Sequence, residues 1–242
     1  IPQIYTPAVK DWWGNWSKPV LQYPVDLDLV KKYYDVTEDP TKADFSIIFV
    51  SGPYVNSDGG GYDNEDRANG GNGYVPITLQ YGTYTANDAR GKSIAAGDPV
   101  IDPTVKDRSY KGKTVTASNT MDLSTILSTK KIMGDKPVIV VANLSRAMVF
   151  NEFESHVDGI LVRFSTGEQS VLDIISGKFE PYGLLPMQMP ANMSTVEKQF
   201  EDVPYDMECH KDSEGNSYDF AYGLNWNGVI KDARTEKYGV KK

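Results

Sequence analysis

Three short apolar runs dictate what this chain can fold into: Phe45-Ser46-Ile47-Ile48-Phe49-Val50, Val138 to Ala142, and Gly159 to Phe164. Each is strand-length and rich in β-branched or aromatic residues, and the run at Gly159 reads as a strand covered on both faces. Helical spacing stands between and beside them. Asp26 is expected to cap a short helix carrying Leu27, Val30 and Tyr33, which stops before the turn Glu38-Asp39-Pro40. Asp122 is expected to cap a helix through Met133, with Leu123, Ile126, Leu127 and Ile132 as its apolar stripe and Gly134 as its stop. Glu168 opens a third helix, favoured by the N-terminal dipole, in which Val171, Leu172, Ile174 and Ile175 face the core and Gly177 ends it. Strands alternating with helices predict an α/β fold, a mostly parallel sheet flanked by helices. Long loops and a C-terminal strand segment complete that expectation.

Residues 1–25 read as an interdomain linker or packed extension, irregular and too aromatic for solvent, and residues 26–242 as one domain. The start at Ile1-Pro2, without methionine, is that expected of a processed product or of a piece of a longer polypeptide. A hairpin closed by prolines is expected within Gly177 to Pro190. In the terminus Tyr218 to Trp226 an alternating strand is expected, with Phe220 inside and Tyr222 and Trp226 as packing residues.

Several function classes fall away. A formal charge of -8 without clustered Lys and Arg argues against a nucleic-acid partner. No apolar run approaches the ~20 residues of a membrane span. Cys209 is the single cysteine, so no intrachain disulfide forms, and its neighbour His210 is poorly placed to share a site with it. Asp212 to Asn216 alternates oxygen ligands, but an EF-hand loop beginning there would need glutamate where Gly223 stands. Gly59-Gly60-Gly61 follows a strand yet lacks any phosphate-loop signature and is surrounded by acids. Neither a metal nor a cofactor is expected.

The segment Ser51 to Gly73 is a glycine-, asparagine- and carboxylate-rich loop, and it leaves the carboxyl end of the first strand, where open α/β sheets bind ligands. Its carboxylates Asp58, Asp63, Glu65 and Asp66 are candidates for proton transfer, and Asp66-Arg67 can equally be a structural ion pair.

Taken together, the motifs resemble the C-terminal α/β sandwich domain of glycoside hydrolase family 3. Asp39-Pro40 and Ala43-Asp44 lead into the first strand as in that family; Ser165-Thr166-Gly167-Glu168-Gln169 stands at its P-G-Q-E turn; Gly177 to Pro186 matches G-x-x-x-P-S-G-x-L-P; and Tyr218 to Leu224 matches its aromatic-Gly terminus. The resemblance covers Asp26 to Tyr238 and is strongest from Lys136 onward. It implies a retaining, exo-acting β-glucosidase or β-glucanase, secreted or periplasmic, acting on a β-linked oligosaccharide or glycoside. The nucleophile would lie on a (β/α)8 barrel domain absent from this chain, and the acid/base on the loop after the first strand. There the chain departs from S-G-E-G-Y-D-R: Ser57 to Asp63 reads S-D-G-G-G-Y-D, with Gly60 at the glutamate position, while a second register puts Asn56 there. Neither transfers a proton at neutral pH. The resemblance therefore leaves Glu65, Asp66, Asp63 and Asp58 as alternative acids and Asn56, Tyr62 and Arg67 as sugar contacts. A carbohydrate-binding or scaffolding module that has lost its acid/base is the alternative.

Overall fold

The computed structural model describes residues 1–9, 11, 13–55, 64–93, 100–105, 107–200 and 203–239, with backbone alone at 64 and 65. In chain order these hold β1 (Ile4–Thr6), β2 (Val20–Gln22), α1 (Leu27–Val30), β3 (Ser46–Ser51), α2 (Asn64–Ala68), β4 (Tyr84–Thr85), β5 (Thr114–Val115), α3 (Met121–Met133), β6 (Val138–Asn143), β7 (Gly159–Arg163), α4 (Glu168–Ile175), α5 (Met193–Lys198), β8 (Leu224–Asn225), β9 (Gly228–Val229) and α6 (Ala233–Tyr238).

The three apolar runs form one parallel sheet, ordered β3-β6-β7. Its register sets Ile48 beside Val140 and Val140 beside Ile160, and Phe49 beside Val141 and Val141 beside Leu161. Because successive side chains alternate faces, an unbroken apolar strand builds two cores. Ile48, Val50, Val140 and Ala142 pack with Ile126 and Met133 of α3 and with Met148, Phe150 and Phe153. Ile47, Phe49 and Val141 pack on the other face with Val25, with Val30 of α1 and with Val171 and Leu172 of α4. Helices on both faces of a parallel sheet make the α/β arrangement the sequence predicts.

Gly134 and Gly177 end α3 and α4 at φ of 61° and 77°, the left-handed region that favours glycine. Asp26 does cap α1, accepting from the Asp28 N–H at 2.9 Å. Glu168 has a second task beyond the dipole of α4: its carboxylate accepts from the Asp26 N–H at 3.1 Å, tying the two helix starts together.

Several expectations are corrected. The N-cap of α3 is Thr120, not Asp122, which lies buried inside the first turn. Its apolar face is narrower than predicted: Ile126 and Met133 are buried, whereas Leu127 and Ile132 are 37% and 57% exposed. β7 is not fully covered on both faces: all its residues are only half-buried, unlike those of β3 at the other edge of the sheet. The loop Ser51 to Gly73 contains the short helix α2, and residues 1–25 carry the antiparallel β1-β2 pair, with Trp13 and Trp16 exposed at 83% and 65%. Finally, Gly177 to Pro190 does not fold back on itself. Its latter half runs against the chain after Glu208, through bonds such as Leu185 N–H to Tyr222 O at 2.7 Å and Met189 N–H to Tyr218 O at 2.9 Å. Ala221 takes φ of 66°, which breaks the expected alternating strand, and Trp226 is exposed.

Candidate functional site at the carboxyl end of the first parallel strand

Where β3 ends, its backbone must find partners outside the sheet. Ser51 to Tyr54 find them largely on the segment entering α3. Asn119 accepts from the Tyr54 N–H through Oδ1 at 3.1 Å, and its Nδ2 donates to Ser51 O at 3.2 Å, to Gly52 O at 3.3 Å and to Asp122 Oδ2 at 3.0 Å. Asp122 Oδ2 also accepts from the Ser51 N–H at 3.3 Å. The buried Tyr81 hydroxyl donates to Ser51 O at 2.6 Å, and Arg146 Nη2 donates to Pro53 O at 3.3 Å. The chain is thus clamped for the four residues that lead into the loop.

Asp122 is the unusual member. It is 2% exposed, and burial pushes its carboxyl up to about 6, with the bonds from Asn119 and Ser51 acting in the opposite sense. Among the described residues its Oδ1 has no hydrogen-bond partner. Burial thus sets a carboxyl raised from its ordinary range within the clamp on Ser51 to Tyr54.

The far side of the loop is held by Lys113. Its Nζ donates to Asp66 Oδ2 at 2.6 Å, to Asn72 Oδ1 at 2.8 Å and to Tyr74 O at 2.8 Å. Asp66 Oδ2 also accepts from the Gly73 N–H at 2.7 Å. The ammonium of Lys113, followed by the Gly73 bond, holds the Asp66 carboxyl below the ordinary carboxylate range. Gly71 is required here, since a Cβ on it would overlap the Asp66 carboxylate. The ion partner of Asp66 is therefore Lys113, not its neighbour Arg67, whose side chain is exposed.

Of the sequence candidates, Asp66 and Arg67 lie on α2, as does the backbone of Glu65. Asn56, Asp58, Tyr62 and Asp63, with the glycine run, lie outside the described residues, and so does the side chain of Glu65. Sequence reasoning missed Asn119, Asp122, Lys113 and Arg146 as site residues. The Asn119-x-x-Asp122 spacing at a helix start was the available signal, but it reads first as capping.

The polar residues that the sequence offered near the carboxyl terminus, Cys209, His210 and Asp212, have structural partners. The thiol of Cys209 accepts from Gln188 Nε2 at 3.2 Å and is pushed up to about 11 by burial, while His210 stacks edge-on against Tyr218 and stands 3.5 Å from Glu154. Asp212 closes its own turn, accepting from the Glu214 and Asn216 N–H groups at 3.0 and 2.8 Å. Among the described residues no group of three or more His, Cys, Asp and Glu could hold a metal ion, and no helix is long and apolar enough to cross a membrane.

The sheet and the clamp at its carboxyl end define an open-sheet α/β domain, a class in which ligands bind outside the carboxyl ends of the strands. Residues 10–226 match the glycosyl hydrolase family 3 C-terminal domain, and the chain belongs to that family. Beta-glucosidase C of Emericella nidulans is 35% identical over 78 residues, 32% of this chain and 13% of that protein. A probable beta-glucosidase C of Aspergillus flavus is 29% identical over 96 residues, 40% of this chain and 14% of the relative. A putative beta-xylosidase of Formosa agariphila is 29% identical over 110 residues, 42% of this chain and 15% of the relative. The matched part of the chain thus spans only 13% to 15% of those relatives' length. No solved structure gives a significant match.

Proposed function

We propose that residues 26–242 form one wall of the sugar pocket of a retaining, exo-acting β-glucosidase or β-glucanase, with residues 1–25 as linker or packed extension. A (β/α)8 barrel of the same enzyme supplies the nucleophile, and the loop after β3 supplies the proton. The observation that carries this reading is the clamp of Asn119 and Asp122 on Ser51 to Tyr54, which holds the start of a carboxylate-rich loop at the sheet's ligand end. The relatives named as β-glucosidases support the substrate class.

Retaining hydrolysis needs a carboxylic acid to protonate the leaving oxygen beside a carboxylate that attacks the anomeric carbon. Asp66 is the least suited of the four candidate acids, because Lys113 keeps it ionised and occupies its acceptor. Its role is to anchor the loop. Glu65, Asp63 or Asp58 then carries the proton, and Asn56, Tyr62 and Arg67 contact sugar hydroxyls.

The test is made in the full-length parent enzyme. Each of the four acids is replaced singly by its amide, and turnover is compared between an aryl glycoside with a good leaving group and a β-linked disaccharide. Loss of the acid should lower the disaccharide rate by about 10²- to 10⁴-fold and the aryl rate far less, because only the poor leaving group needs protonation. Four variants with full disaccharide activity would remove the proton donor from this loop and favour the non-catalytic binding module, which Gly60 and Asn56 motivate. Hydrolysis by the 242-residue chain alone would overturn the division of the site.

A further inference from the structure

Asp122 is a buried acid that the proposed reaction does not use, and its place in the clamp follows from the register of β3. Ser46 N–H donates to Pro137 O and Gly52 N–H to Asn143 O, so Ser46, Ile48, Val50 and Gly52 turn their backbone groups toward β6, and Ser51 turns its own away from the sheet. The outward carbonyl of Ser51 accepts from Tyr81 Oη and Asn119 Nδ2, at 2.6 and 3.2 Å. Its outward N–H has Asp122 Oδ2 as acceptor, at 3.3 Å.

That acceptor is a conditional one. The Asp122 carboxyl is 2% exposed; its Oδ2 takes donors from Ser51 and Asn119, and among the described residues its Oδ1 takes none. No cation is among the groups that act on it. A carboxylate so placed is short of donors, and its charge is solvated only when the segment moves off and admits water. The neutral acid has no such need. The titratable neighbours do not compensate. Tyr54 and Tyr81 face Asp122 as phenols, pushed up by burial first and by the Asp122 charge second, so both stay neutral while Asp122 titrates. Behind Tyr81, Glu152 is occupied by the Tyr81 and Gly82 N–H groups at 2.6 and 2.8 Å, and Arg146 is directed at Pro53 O at 3.3 Å.

We propose that Asp122 is a proton-operated latch: with its proton on, Ser51 to Tyr54 stay shut against the start of α3, and loss of the proton lets that segment open locally while the sheet stays folded. Opening then depends on pH with a definite sign. The shut form pushes the carboxyl up to about 6, and the open, hydrated form returns it to an ordinary value of 3.8. Opening is therefore least below 3.8, rises about tenfold per pH unit between those values and levels off above 6. The segment is held tightest in acid. The bearing of the latch on catalysis rests on the reading that the loop after β3 serves the glycosidase site; the latch itself stands on the geometry of Asp122, Ser51 and Asn119.

The experiment is hydrogen exchange of the 242-residue chain, followed residue by residue from pH 4 to pH 7 and corrected for the intrinsic rate. The Ser51 and Tyr54 amides should lose about 50-fold in protection across that range, and at pH 7 they should exchange faster than the Ile48 and Val140 amides of the sheet. In Asp122→Asn the protection of the same two amides should vary by less than about threefold. Tyr81→Phe, which removes a donor from Ser51 O, should raise opening about fivefold at every pH and leave the 50-fold dependence in place. Protection at Ser51 and Tyr54 that is constant with pH in the wild-type chain, or that tracks the sheet amides at every pH, would overturn the proposal. So would a pH dependence that survives in the folded Asp122→Asn chain, which would assign the titration to Glu152 or another group. If that variant does not fold, the wild-type profile decides by itself. No turnover is measured, so failure of the latch leaves the acid-substitution test of the sugar site untouched.

Discussion

Replacing Asp122 by asparagine asks whether the clamp beneath the loop contains a carboxylate that resists ionisation. Burial moves this group from an ordinary value near 3.8 up to about 6. At about 1.4 kcal/mol per tenfold change in proton affinity, keeping it ionised in the folded protein costs about 3 kcal/mol. The sign follows from the direction: an acid raised on folding contributes stability that is fully present below about 3.8 and lost as pH rises through about 6. Asparagine keeps the shape and an acceptor for the Ser51 N–H but does not titrate. Its altered bonds to Ser51 and Asn119 change stability by about 1 kcal/mol each, independently of pH. The diagnostic quantity is therefore the difference in unfolding free energy between Asp122→Asn and wild type, measured by urea denaturation from pH 4 to pH 8, where the titration of all other groups cancels. That difference should move in favour of the variant by about 2.4 kcal/mol over this window, about 2 kcal/mol of it between pH 4 and 6. A difference constant to within about 0.5 kcal/mol, or one that moves the other way, would refute the reasoning.

Other perturbations test other parts of the structure. Ile126→Ala empties a fully buried position between α3 and the sheet and should cost about 2–5 kcal/mol, whereas Ile132→Ala on the exposed face should stay within about 0.5 kcal/mol in the same urea titration. Gly71→Ala should dislodge the Asp66 carboxylate from Lys113 and the Gly73 N–H, and hydrogen exchange at the Gly73 amide should quicken on the order of tenfold. The Cys209 thiol, pushed from 9.0 up to about 11, should react with a thiol reagent at pH 7.5 about 100-fold more slowly than a free cysteine, and at an ordinary rate once unfolded; fast reaction of the folded chain would contradict its burial.

Much of the frame is legible in contiguous residues. Phe45 to Val50, Val138 to Ala142 and Gly159 to Phe164 are short, apolar and β-branched, and all three became strands of one parallel sheet. Gly134 and Gly177 end their helices because the backbone there needs a positive φ, a demand local enough to be written in one residue. The motifs at Ser165 to Gln169 and Gly177 to Pro186 carried the family resemblance for the same reason.

The site was less legible, because its partners are distant in sequence. Asp122 reads as a cap, yet its carboxylate serves the Ser51 N–H 71 positions away. Asp66 reads as a partner of Arg67, yet it pairs with Lys113, 47 positions away. Leu127 and Ile132 fit a helical stripe, but which part of that stripe is covered depends on where the helix meets the sheet. What the sequence by itself determined is the set of strands, turns and stops, since each follows from backbone preference and the side chains next to it. Which carboxylate is desolvated, which is paired, and which segment holds the loop were decided only by tertiary structure, because burial and charge pairing are properties of the groups that folding brings together.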